Sequence, residues 1–203
     1  MTTILHIDSS ASDAETSHSR RLSADLVGKL TAGRPDATVL RRDVAADRLP
    51  HVDMTIRQAW MQEGERSPEL DEIATRSRSL VGELKQADVV VIGSPMYNFS
   101  VPSTLKAWID HVAIAGQTFR YTETGPEGLL GGKKVYLVLS SGGVYSSGPA
   151  EGAEFLGTYL TTVLNFLGID DIEIVRAEGV AFGPEQDAAA MKKAAEEIET
   201  IAA

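Results

Sequence analysis

Residues 89–93, Val-Val-Val-Ile-Gly, form an apolar, mostly β-branched run without polar alternation. A strand with one face in water shows a period of two, so a run of this kind belongs at the centre of a parallel sheet covered on both faces. Parallel neighbours need crossovers, usually helical, and the chain supplies them on either side. Short apolar runs at Ile4–Ile7, Ala37–Val44, Lys134–Leu139 and Asp171–Val175 read as four further strands. Amphipathic stretches separate them. Arg20–Leu30 carries Leu22, Leu26, Val27 and Leu30 on one face, and Pro68–Lys85 carries Leu70, Ile73, Leu80, Val81 and Leu84. A helix begins at Pro102 with Leu105, Trp108, Ile109 and Val112 as its stripe, and Phe155–Leu167 and Asp187–Ile201 are the last two. The expectation is one α/β domain over residues 1–203: a doubly wound, five-stranded parallel sheet of order 2-1-3-4-5, with an irregular insertion at Gly116–Gly132. Residues 46–66, including His51, have no assignment.

A doubly wound sheet binds ligands beyond the carboxyl ends of its strands, where the strand order reverses. Three loops therefore matter. The first, residues 9–21, is rich in hydroxyls and leads straight into a helix. Hydroxyls with unpaired helix N-terminal amides suit a phosphate dianion, although the same residues are also ordinary N-caps and turn formers. Arg20 and Arg21 in that first turn oppose the helix dipole unless an anion sits nearby. The second loop, Ser94-Pro95-Met96-Tyr97-Asn98-Phe99, offers apolar walls and fixed amides to a flat fused ring, or else merely caps the core with Tyr97 and Phe99. The third, Ser140-Ser141-Gly142-Gly143-Val144-Tyr145, has paired glycines that either let amides approach a negatively charged ligand edge or make a plain strand-end turn.

Several classes fall away. There are no cysteines, so disulfides, thiolate nucleophiles and Cys-ligated metals are excluded, and redox chemistry would need an organic cofactor or an N/O-ligated metal. No G-x-G-x-x-G follows the first strand, and neither a phosphate-binding G-x-x-x-x-G-K-[ST] nor a G-x-S-x-G elbow occurs. A net charge of −10 is wrong for a nucleic-acid binder. No apolar run approaches a bilayer span and no secretory leader is evident, so a cytoplasmic location without membrane contact is expected. His6 on a buried strand and His111 on a helix read as structural.

Taken together, the loops resemble those of the FMN-dependent NADH-azoreductase and NADH:quinone oxidoreductase family. The resemblance rests on Ser-Pro-Met-Tyr-Asn-Phe at 94–99 with Pro102-Ser103-Thr104-Leu105-Lys106, and on Phe119-Arg120-Tyr121-Thr122-Glu123 with Gly125-Pro126-Glu127-Gly128-Leu129. Ser140–Gly143, Ala177-Glu178-Gly179 and Gly183-Pro184-Glu185 follow in order. It covers essentially the whole chain and implies a flavodoxin-like fold with one FMN per subunit. Ser10, Ser17, His18 and Ser19 would hold the phosphate and ribityl chain. Met96, Tyr97, Asn98 and Phe99 would line the ring, and Ser140, Ser141, Gly142 and Gly143 would meet its pyrimidine edge. It further implies a homodimer with FMN sites at the interface, and a substrate space lined by Tyr121, Phe166 and Tyr145. Family members often carry arginine where this chain has Ser141 and histidine where it has Tyr145, which bears on substrate preference. The implied activity is ping-pong, two-electron reduction of quinones by NADH, with aromatic azo compounds cleaved in two cycles and no indispensable side-chain acid or base. A flavodoxin-type electron carrier and an FMN-binding sensor without turnover share the fold and remain as alternatives.

Overall fold

In the computed structural model, which describes residues 2–202, the apolar run becomes strand β3 (Val89–Pro95), the middle of a five-stranded sheet. Before it come β1 (Thr3–Asp8), α1 (His18–Ala32), β2 (Thr38–Asp43), α2 (Val44–Asp47), α3 (Met54–Met61) and α4 (Pro68–Gln86). After it come α5 (Ser103–Val112), β4 (Phe119–Thr122), β5 (Gly125–Gly128), β6 (Lys134–Ser141), α6 (Leu156–Phe166), β7 (Asp171–Glu178) and α7 (Pro184–Ala202). The sheet order is β2-β1-β3-β6-β7, all parallel, which is the expected 2-1-3-4-5 order once the hairpin strands β4 and β5 are set aside.

Two apolar clusters cover the sheet. Leu5, Ile7, Val90 and Ile92 pack with α4, α5 and α6 on one face, while Ile4, Val91, Tyr136 and Val138 pack with α1 and α7 on the other. Alternate side chains of one strand thus serve opposite layers, which is why β3 had to be apolar throughout. On α4 the buried side is Ala74, Ser77, Leu80, Val81 and Leu84. Leu70 and Ile73, expected in the core, are only half-buried because the first turns of α4 extend past the sheet toward α3.

The insertion at 116–132 is not irregular. Phe119 pairs with Gly128 and Thr122 with Gly125 in a two-stranded antiparallel hairpin. Four-residue strands, one reading Gly-Pro-Glu-Gly, are too short and too rich in breakers to show a period.

The unassigned segment 46–66 is held by a continuous hydrogen-bond chain centred on Ser77 and His111. Trp60 Nε1 donates to Ser77 Oγ at 2.9 Å, Ser77 Oγ lies 2.9 Å from His111 Nδ1, and His111 Nε2 lies 3.0 Å from the Pro50 carbonyl. Neutral His111 protonated at Nε2 completes the set, with Ser77 accepting from Trp60 and donating to Nδ1, and burial pushes the His111 pKa below the ordinary value. Below about pH 6.5, the ordinary imidazole value, the unfolded chain takes up a proton here that the folded chain refuses. Stability from this site is therefore complete above that pH and lost as the pH falls below it. His111→Gln should be less stable at neutral pH yet lose less melting temperature than the parent between neutral pH and pH ~5.5. Parallel melting curves across that range for both proteins would refute the assignment.

Candidate active site

The loops after β1, β3 and β6 meet at the carboxyl end of the sheet, where the strand order reverses. Ser9 ties the first to the second, its amide and Oγ donating to the Gly93 carbonyl at 3.1 and 3.0 Å. Asp13 folds the loop into a turn by accepting from the amides of Glu15 and Thr16 at 3.1 and 2.9 Å. Ser17 then caps α1, and Ser10, Ser17 and Ser19 are all buried. The amides of His18 and Ser19 open the helix and have no acceptor within it.

Arg20 answers the helix-dipole argument differently from expectation. Its guanidinium grips Asp43 with two bonds of 2.8 and 2.9 Å, lies 3.7 Å from Asp8, and donates to the Ser10 carbonyl at 2.6 Å. The anions that tolerate this cation belong to the chain. Asp8 and Asp43 face each other in register at the ends of β1 and β2, and Arg20 binds one and lies close to the other, offsetting part of their repulsion. Although burial alone would raise the Asp43 pKa, the bonds from Arg20 and from the Ala46 and Ala45 amides hold it below the usual value. Arg20 consequently shapes the loop, through Ser10, without being free for a ligand.

The second loop is a tight hairpin turn. Tyr97 and Ser100 exchange both backbone bonds at 3.0 and 3.1 Å, with Asn98 (φ 49°) and Phe99 (φ 73°) between them. Two central residues at positive φ match the hairpin geometry usually given to Asn-Gly. Asn98 adopts it readily, whereas Phe99 is strained. Phe99 is half exposed and meets the Tyr145 ring edge-on, with centroids 6.0 Å apart. The Tyr97 hydroxyl accepts from the Ala11 amide at 3.2 Å, joining this loop to the first.

The third loop is stitched to the loop that follows β7. The carbonyls of Ser141, Gly142 and Gly143 accept from Val180, Ala181 and Gly179 at 3.3, 3.1 and 3.0 Å. In a planar trans peptide the N–H points opposite to its carbonyl, so the amides of Gly142 and Gly143 face away from that seam and can donate. Glu178 fixes the far end of the loop, accepting from the amides of Tyr145 and Ser146 at 2.8 and 2.9 Å. Ser141 Oγ is spent on the Gly143 carbonyl at 2.8 Å.

These pieces enclose a cleft of about 200 Å³, lined by Ser10, Ser17 and His18 at one end and by Met96, Tyr97, Ser140, Ser141 and Gly142 at the other. Ser12, Thr16, Pro95 and Val180 also line it. Val180 was not legible beforehand, since only the third dimension brings its loop here. Asn98 lies outside this lining, on an adjoining groove of about 470 Å³ with Lys106 and Tyr159. Ser19 is fully buried, and neither it nor Phe99, Gly143 or Tyr145 lines the cleft. Tyr121 and Phe166 do not reach the cleft; both pack on Phe119, at 5.5 and 4.6 Å between centroids, beside the hairpin. His6 is buried against Ser23 at 2.9 Å, as a structural residue would be. A larger cavity of about 620 Å³ adjoins the cleft, sharing Ser10, Ser12 and Tyr97 with it and reaching Ala45 and Thr104.

The model of the family described as flavodoxin-like fold matches residues 2–202. A relative from Herminiimonas arsenicoxydans, named FMN-dependent NADH:quinone oxidoreductase, is 51% identical over 99% of this chain and 98% of its own. A protein of the same name from Ralstonia nicotianae is 50% identical over 94% and 92%. Among solved structures, an FMN-dependent NADH-azoreductase from Bacillus anthracis in complex with FMN superposes with a TM-score of 0.89 at 31% identity over both full chains. Another azoreductase of Bacillus anthracis reaches 0.92 at 30% identity, covering 100% of this chain and 99% of its own. With its sheet order, its three converging loops and these full-length matches, the chain belongs to the flavodoxin-like family of FMN-dependent NADH:quinone oxidoreductases.

Proposed function

We propose that the protein is an FMN-dependent NADH reductase that passes two electrons at a time to quinones and, in two cycles, cleaves aromatic azo compounds. The observation that carries this reading is the single cleft that brings the α1 hydroxyls and amides together with the loops of β3 and β6. Its two ends fit the two ends of FMN. Buried Ser10 and Ser17, with the amides opening α1, suit a phosphate dianion. Met96 and Tyr97 suit a flat ring, and the outward-facing amides of Gly142 and Gly143 suit its electron-rich edge. When bound, FMN supplies the hydride chemistry that links NADH to the acceptor.

The chain's own residues bind and orient. Ser17 and the first turn of α1 fix the phosphate end, while the seam between 141–143 and 179–181 holds the ring-edge amides rigid. Among the residues lining the cleft, His18 is the one titratable side chain besides Tyr97, and Asp187 engages its ring. No residue is therefore assigned the role of acid or base. The reading has NAD⁺ leave before the acceptor binds, so initial rates at several fixed NADH concentrations should give parallel double-reciprocal lines against a benzoquinone. Intersecting lines would require both to bind together and would contradict the reading.

Phe99 is read as a wall of the substrate space, retained despite its strained backbone. Phe99→Gly removes about 1 kcal/mol of strain and a ring contact of similar size, so the melting temperature should barely move. Its kcat/KM for quinones should nonetheless fall about tenfold, a barrier rise of about 1.4 kcal/mol. A large loss of stability with unchanged kinetics would make Phe99 a purely structural residue. The reading carries a homodimer with FMN at the interface, supported by the exposed aromatics Phe99, Tyr121, Phe155 and Phe182.

A further inference from the structure

Two helices begin side by side at the phosphate end of the cleft. His18 is the first residue of α1, and Asp187 lies in the first turn of α7, 169 positions later in the chain. His18 Nε2 is 2.7 Å from Asp187 Oδ1, and both side chains are largely or partly covered, at 25% and 38% exposure. Asp187 is placed firmly: its amide donates to the Gly183 carbonyl at 2.9 Å, and a carboxylate in a first turn complements the helix dipole. His18 is the reverse case, a basic ring at the positive end of α1, and it gains from the carboxylate beside it. The rest of the first loop is fixed from the other side, by Arg20 on Ser10 and by Tyr97 on Ala11. Along α1, the other bridge to α7 is Lys29 to Glu199, at 3.1 Å and remote from the cleft.

We propose that Asp187 is a positioning residue for the phosphate end of the flavin nucleotide. It acts through His18: the bond to Nε2 sets the ring, and with it the opening turn of α1 whose amides and Ser17 hydroxyl receive the phosphate. The proposal rests on the FMN reading above and assigns a role to α7, which contributes no lining residue to the cleft. The contact lies at the phosphate end alone, so it discriminates FMN from riboflavin, which has the same ring and no phosphate.

The test is equilibrium binding of FMN and of riboflavin to the apoprotein, followed by quenching of flavin fluorescence. Asp187→Ala should raise the Kd for FMN about tenfold while that for riboflavin changes less than about twofold. His18→Ala should have a similar effect, and the double variant should be no worse than either single one, as coupled residues require. Asp187→Asn keeps an acceptor without the charge and should recover part of the affinity. Glu199→Ala cuts the other α1–α7 bridge and should leave both constants unchanged. Equal loss of FMN and riboflavin binding in Asp187→Ala would reduce the pair to a helix clamp and overturn the proposal, as would additive effects of the two variants. If the parent protein itself binds neither flavin, the FMN reading fails and this inference with it. If the parent binds FMN and Asp187→Ala matches it, only the inference fails.

Discussion

Gly128→Ala should lower the melting temperature by roughly 10 °C, equivalent to about 3 kcal/mol in a chain of this size. A Cβ at Gly128 would stand 2.1 Å from the Gly168 nitrogen and 2.2 Å from the Leu167 carbonyl carbon. Both are main-chain atoms at the end of α6, where Gly168 already takes φ +93°. The hairpin and the α6–β7 turn thus meet backbone to backbone, and no side chain is available to move aside. Leu130 extends the junction by donating to the Leu167 carbonyl at 2.9 Å. The clash would lever away the hairpin that carries buried Phe119 and its ring contacts with Tyr121 and Phe166. Gly131→Ala is the matched comparison: its Cβ would meet only the Gly168 carbonyl oxygen, at an ordinary 3.5 Å, so its melting should stay within about 2 °C of the parent. Equal melting of the two variants would refute this account of the hairpin.

Arg20→Met should cost about 2 kcal/mol of stability, a value reduced from the buried-pair figure because Asp43 is partly exposed. The loss comes from Asp8 and Asp43, which stay side by side without a cation, and from the Ser10 carbonyl, which loses its donor. FMN binding should weaken about tenfold, since Ser10 lines the phosphate end. Arg20→Lys should restore little, because one ammonium cannot reproduce the two-pronged grip on Asp43. The stability gap has a defined pH dependence. Asp43 has a lowered pKa in the parent, so its contribution is present above about pH 3.8 and fades as the pH falls below that value. The difference in denaturation midpoint should accordingly hold from neutral pH down to about pH 4 and narrow only as the pH falls below about 3.8; a gap independent of pH would point to packing rather than charge.

The layers of the fold were legible because each strand and crossover helix carries its own period. Val89–Gly93 could be only a central strand, and Leu105, Trp108, Ile109 and Val112 could face only inward. What escaped is what has no period. The hairpin strands β4 and β5 are four residues each, α2 is a single turn capped by Asp43, and α3 is anchored by the long-range bond of Trp60 to Ser77. For the site, Ser10, Ser17, Met96, Tyr97 and Gly142 follow from their loops, since those loops end strands at the reversal of order. Arg20 had the right anomaly and the wrong partner, because the sequence does not show that Asp43 lies in register with Asp8. Glu178, Val180 and Asp187 serve the site from the end of β7, its following loop and α7; no local pattern marks them, and only the folded sheet brings them near.

The most direct test of the account is the visible absorption of the FMN-loaded protein, followed on anaerobic addition of NADH and then of a benzoquinone. The account predicts rapid bleaching by NADH and full return of the flavin band when the quinone is added. A bound flavin that NADH leaves oxidised, or a protein that retains no FMN, would contradict it.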